Sequence, residues 1–243
     1  MEPVGGEPRR HHPNPYPLVE RGARDIAQPV DDGTRHSALG VDTEKKTLGA
    51  TERDEHARTV FRQQVAARTA MDFVIVDECG SNINLTPIYA RAPRGERAYG
   101  GVPRNTDKNT TLIASMTTTG MGPAMLLDGA TDTAAFEAYV EHFLAPALTP
   151  GKVVVIDNLS AHKRARVRAL IEAQGCDLWF LPSYSPDLSP IEEAFSKLKT
   201  LLRRAAARTR DALHAAIALV LDQITAQDAE GYFAHCGYGI QLQ

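Results

Sequence analysis

Three stretches of this 243-residue chain bring carboxylates to places where they could act together. "MDFVIVDECG" is an apolar run that finishes on Asp77, and "GKVVVIDNLSAH" is a second that finishes on Asp157. In "FLPSYSPDLSPIEEAFSKLK", a proline-rich loop leads into the first turn of a helix that carries Glu192 and Glu193. Carboxylates drawn together from distant parts of a chain repel one another unless protonation or a cation relieves the repulsion. Hard divalent ions with oxygen ligands do this well, and magnesium binds through a few carboxylates, waters and substrate phosphates. Two such ions can activate a water or hydroxyl on one side of a phosphodiester and stabilise the leaving oxygen on the other, which is nuclease or strand-transfer chemistry. Taken singly, each acid has a plainer reading. Aspartates at strand ends form turns and cap helices, and glutamates in a first turn are favoured by the helix dipole.

The elements that must position these groups follow from periodicity. Residues 73–76 are apolar on both alternating faces, as expected of a central strand covered on both sides, with Asp77 at its C-terminal end. "NTTLIASMTTTGMGPAMLLDG" predicts an antiparallel hairpin turning at Thr119 to Gly122. Phe136, Tyr139, Val140, Phe143 and Leu144 recur at helical spacing up to Pro146. A buried strand to Asp157, a helix through "KRARVRALIEAQG", a short strand "CDLWFLP", the proline loop and a helix from about Ile191 follow, and "RDALHAAIALVLDQI" is expected to be the closing helix. This order predicts an α/β fold, a mixed sheet with helices on its faces, whose ligand site lies beyond the carboxyl ends of the parallel strands. Ile191, Phe195, Leu198 and Leu202 form the packing stripe of the glutamate-bearing helix. Both glutamates border that stripe, so periodicity leaves the choice between them open.

Composition sets limits. No run of eighteen apolar residues and no signal-peptide pattern occurs, so a cytoplasmic location is expected. The three cysteines, Cys79, Cys176 and Cys236, form no CxxC pair, which reads as inert thiols rather than a zinc site or disulfides. Net charge is −3, so any contact with nucleic acid must be local. Local basic stretches suited to a phosphate backbone supply Arg91, Arg94 and Arg97, then Lys163 and Arg164, then Lys197, Lys199, Arg203 and Arg204. Asn158 and His162, just after the second aspartate, are candidates for supporting the site or contacting phosphate. Residues 1–42 are rich in Pro, Gly, His and charge with no apolar period, and are expected to be a disordered or non-homologous tail. A linker helix region is expected over 43–70 and the catalytic domain over 71–243.

The motifs "VDE" at Asp77, "VVVIDNLSAH" at Asp157 and "LPSYSPDLSPIE" at Glu192 resemble the three acidic signatures of the mariner superfamily of DDE transposases, most of all its bacterial insertion sequence 630 branch. The 34 residues between Asp157 and Glu192 match that superfamily's interval. The resemblance implies a ribonuclease-H-like fold in a bacterial, nucleoid-associated protein that performs cut-and-paste DNA transposition. Asp77, Asp157 and Glu192 would hold two magnesium ions, with manganese able to substitute. The ends of the element would be cut, and the freed 3′-hydroxyl would attack target DNA at a TA step. The resemblance also selects Glu192 over Glu193, because the family's acid directly follows its Pro-Ile pair. Partners implied are double-stranded DNA, a second copy of the chain on that DNA, and a separate helix-turn-helix chain, since residues 1–42 resemble no such domain. Two positions depart from the family pattern: Ser183 and Ser189 stand where it has Pro and Asn, and Ser189 is expected to cap the helix. The alternative function is a catalytically silent or truncated remnant that binds DNA or dimerises.

Overall fold

The computed structural model describes residues 50–104, 108–158 and 164–239. The tail expected over 1–42, together with His162 and Lys163, lies outside the described residues. Helix α1 spans Glu55–Ala66 and leads through a short 3-10 turn into strand β1, Phe73–Ser81. Strands β2 (Thr110–Thr117) and β3 (Gly120–Asp128) form the hairpin. Helix α2 (Thr133–Tyr139), strand β4 (Val153–Ile156), helix α3 (Ala165–Glu172) and strand β5 (Asp177–Phe180) follow. Helices α4 (Pro190–Ala205), α5 (Arg210–Leu221) and α6 (Ala226–His235) complete the described chain. The sheet has five strands in the order β3-β2-β1-β4-β5. β1 runs antiparallel to β2 and parallel to β4, and β4 is parallel to β5.

Strand parity sorts the core into two layers. Phe73 and Ile75 of β1, with Val153 and Val155 of β4, face a cluster built with α1, α4, α5 and α6. Val74 and Val76, with Val154 and Ile156, face a second cluster built with α2 and α3. The stripe expected on α4 is fully packed in the first layer: Ile191, Phe195, Leu198 and Leu202 are all buried. Helix α1 belongs to the same layer through Phe61 and Val65.

The structure differs from the sequence expectation in four places. β1 continues past Asp77 to Ser81, because β2 pairs with its second half as far as Ser81 opposite Thr110. Asp77 therefore lies inside a strand, although the parallel pairing to β4 does end before it. The hairpin turns one step earlier than expected, at Thr118 and Thr119, with Gly120 at φ 122° opposite Thr117. A β-branched pair can fill this turn because the glycine after it takes the positive φ. Beyond Tyr139 the helix widens into a π turn over Val140–Leu144, which leaves Phe143 half-exposed and stacked on Tyr139 at 6.2 Å. Finally, α5 does not close the chain. α6 follows it, started by a capping box in which Thr225 and Asp228 satisfy each other's backbone N–H groups.

Candidate active site

The site begins with register. The last parallel pair between β1 and β4 is Ile75 with Val155. Two residues further on, Asp77, still within β1, and Asp157, just past β4, stand level with each other. They keep the parity of Ile75 and Val155, so both point to the α4 side of the sheet. β5 supplies the third component. It pairs through Phe180 with Ile156, and the Leu181 N–H donates to the Ile156 carbonyl at 2.9 Å, after which residues 182–189 arch over the ends of the strands. Asp77, Asp157, Asn158, Ser183, Tyr184 and Glu192 line one cleft of about 410 Å³.

Four side chains from three separate parts of the chain fix the arch. Arg58 of α1, 1% exposed, donates from its two terminal nitrogens to Asp187 at 3.0 and 2.7 Å. Arg53 donates to the same carboxylate at 2.8 Å, and these partners, Arg58 foremost, hold Asp187 below the usual carboxylate range. The buried hydroxyl of Tyr238 donates to the Leu188 carbonyl at 3.0 Å, and its ring packs on Phe73 and Phe233. Asn158 Nδ2 donates to Ser183 Oγ at 3.0 Å, tying the end of β4 to the start of the arch. Within the arch Tyr184 sits at φ 54° with its side chain exposed, a left-handed conformation that a non-glycine residue holds only when its surroundings impose it. The sequence motif shows neither Arg58 nor Tyr238, because their partners lie 129 and 50 residues away.

Pro190 opens α4 and the Glu192 N–H donates to the Ser189 carbonyl at 3.1 Å, so the first turn is set by where the arch ends. The expected serine cap is not made. Ser189 Oγ is buried with no hydrogen-bond partner, because the Pro186–Leu188 turn and Pro190 leave the side chain facing inward. The two glutamates part company at once. Glu192 opens into the cleft, whereas Glu193 turns to α6, where its carboxylate is hydrogen-bonded to His235.

Crowding leaves an electrostatic mark on the cleft. Burial, and next the charges of Glu192, Asp157 and Glu78, push the Asp77 carboxyl up to about 7, against the pull of the Glu78 N–H that donates to it at 2.7 Å. Such a site has excess negative charge and oxygen donors only.

A family model described as DDE superfamily endonuclease matches residues 72–214, more than half of the chain, and its span includes Asp77, Asp157 and Glu192. The chain belongs to this family. Among curated proteins no sequence matches. The fold of this DDE endonuclease chain is shared with solved transposases and is ribonuclease-H-like. The Mos1 transposase paired-end complex with left transposon end superposes with a TM-score of 0.66 at 15% identity, over 84% of this chain and 66% of that one. The Mos1 strand transfer complex gives 0.63 at 15% identity, over 84% and 65%. A Mos1 mariner paired-end complex with Mn gives 0.61 at 14% identity, over 84% and 66%. The chain thus spans a little under two-thirds of the length of the first two.

The basic candidates of the DDE chain fall into distinct settings. Arg91, Arg94 and Arg97 are exposed on the connection between β1 and β2, among exposed Ile88, Tyr89 and Tyr99. Arg164 is exposed at the start of α3. Lys199 lies two turns from Glu192 on the same side of α4, beside the buried Cys79 thiol, and Arg203 extends that line. Lys197 is tied into the fold instead, donating to Asp228 at 2.6 Å and to the Gln223 carbonyl at 2.9 Å. Arg204 borders a separate groove with Glu193 and Tyr232. No helix among the described residues is long and apolar enough to cross a membrane.

Proposed function

We propose that the chain is the catalytic domain of a mariner-like DNA transposase, which cleaves DNA at transposon ends and joins the freed 3′-hydroxyl to target DNA. The observation that carries this reading is the convergence of Asp77 from within β1, Asp157 from the end of β4 and Glu192 from a clamped loop on one cleft in a DDE endonuclease chain. The donor set fits hard cations. It is all carboxylate oxygen, and the charges of Glu192 and Asp157, acting on Asp77 after burial, add to the negative potential a hard cation would neutralise. Asp77, Asp157 and Glu192 would hold two magnesium or manganese ions, which would supply Lewis-acid chemistry for a water or hydroxyl nucleophile and for the leaving oxygen. Asn158, through Ser183, keeps the arch against β4, and the exposed Tyr184 ring at its lip offers a face for a nucleotide base.

Arg91, Arg94, Arg97, Arg164, Lys199 and Arg203 are suited to the phosphate backbone of double-stranded DNA, end or target, the latter at TA steps. A second copy of the chain and a separate helix-turn-helix chain complete the assembly in this reading, with residues 71–243 as the catalytic domain. The test is nicking of duplex DNA by the full chain with and without magnesium or manganese, in parent and Asp157→Asn forms. Loss of cleavage with retained DNA binding is expected. Cleavage that persists in Asp157→Asn contradicts the reading.

A further inference from the structure

Glu193 follows Glu192 in sequence yet serves a different neighbourhood. From the first turn of α4 it meets the end of α6, where His235 Nδ1 is hydrogen-bonded to Glu193 Oε1 and Cys236 Sγ lies 3.9 Å from the same oxygen. One ligand atom from each of the three residues lies within 4.8 Å of the other two. The donors differ in kind from those of the cleft. A thiolate, an imidazole and a carboxylate are borderline-soft to hard, the mixture that tetrahedral zinc takes with one position left for water.

Geometry is near what such an ion requires. Bonds of about 2.0–2.3 Å at tetrahedral angles put ligand atoms roughly 3.3–3.6 Å apart. The 3.9 Å between Cys236 Sγ and Glu193 Oε1 needs a few tenths of an ångström of closure. The pair formed by Glu193 and His235 must instead open, and the His235 side chain, 79% exposed, is free to turn. Glu193 also borders a groove of about 490 Å³ that it shares with Lys197, Arg204 and Tyr232. The positive charge of Lys197 there is already matched by Asp228 at 2.6 Å. The sequence reading of Cys236 as an inert thiol misses the cluster because 42 residues separate His235 from Glu193.

We propose that Glu193, His235 and Cys236 form a second metal site, for a borderline-soft divalent ion of the zinc class, that fastens the end of α6 to the first turn of α4. Binding forms metal–sulfur, metal–nitrogen and metal–oxygen bonds. The Cys236 thiol proton leaves to solvent, the Nδ1 proton that His235 donates to Glu193 is also released so that the Nδ1 lone pair can meet the ion, and no electron changes hands. The site is separate from the cleft, so it stands or falls independently of the transposase reading.

Cobalt(II) titrated into the full chain is the probe. The expected result is a thiolate-to-cobalt charge-transfer band that saturates at one ion per chain and is displaced by zinc but not by magnesium. Cys236→Ser should abolish the band. His235→Ala and Glu193→Gln should each weaken cobalt binding at least about tenfold. Asp157→Asn should leave it unchanged, which separates this site from the cleft. Because His235 is exposed, its variant keeps the test open even where serine at the buried position disturbs α6. Absence of the band at millimolar cobalt, or its survival in Cys236→Ser or undiminished in His235→Ala, overturns the proposal.

Discussion

Asp77 and Asp157 reach the cleft on the sheet, whereas Glu192 reaches it on a loop, and the two means of delivery differ in what they depend on. The aspartates inherit their place from parity and register. Every residue that sets Ile75 against Val155 in the buried ladder also sets the acids two steps beyond. Glu192 has no ladder. Its position rests on Pro190 and on an arch held by Arg58 with Arg53, by Tyr238 and by Asn158, side-chain contacts from three different parts of the chain. The sheet-borne half of the site should therefore resist remote substitutions, and the loop-borne half should respond to them.

The largest expected effect breaks the strongest clamp. Arg58→Ala removes a buried guanidinium with two bonds to Asp187 and its packed stem. Since Asp187 is half-exposed and can be resolvated, the loss should be about 3 kcal/mol, read by urea unfolding. DNA cleavage by the folded fraction should fall with it, as Glu192 loses its fixed approach.

The next effect has the opposite sign and belongs to the sheet. In the folded chain the Asp77 carboxyl titrates near 7, above its value of 3.8 in the unfolded chain. The protonated group contributes stability that is complete below about pH 4 and is lost as pH rises through 7. In metal-free protein, Asp77→Asn should therefore raise stability at pH 8 by on the order of 2 kcal/mol, the difference closing toward pH 4. Thermal unfolding at the two pH values in the presence of a chelator measures it.

Smaller effects sharpen the contrast. Tyr238→Phe keeps the ring on Phe73 and Phe233 but leaves the Leu188 carbonyl without its donor, a loss of about 1 kcal/mol. Asn158→Ala should lose about 0.5 kcal/mol, since its partner Ser183 lines the open cleft and can bond to water. Both should lower cleavage more than stability alone accounts for. Equal effects from substitutions of similar size in β4 would erase the distinction between sheet and loop.

The sequence was most informative where periodicity and burial act together. The β1 and β4 runs announce two-faced burial, and the α4 stripe of Ile191, Phe195, Leu198 and Leu202 is packed as the spacing predicts. It was silent where a partner lies far along the chain. Arg58 reads as one more charge on a surface helix until Asp187 is brought to it, and Tyr238 reads as a terminal aromatic until it is found beneath the arch. Helix α6 had a local signal, the Thr225 and Asp228 capping box, but its apolar content is thin and only Ala229 and Phe233 are buried. Glu192 and Glu193 were equivalent by period alone. What separates them is the company each keeps, the two aspartates for one and His235 with Cys236 for the other.

That separation is the most direct handle on the account. Glu192→Gln and Glu193→Gln each neutralise one carboxylate on adjacent residues of the same turn, with almost no change in shape. In a magnesium- or manganese-dependent DNA cleavage assay, Glu192→Gln should lower the rate by at least about a hundredfold with little change in thermal stability, and Glu193→Gln should retain most of the activity. Cleavage that survives Glu192→Gln, or is lost on Glu193→Gln, would contradict the assignment of the cleft.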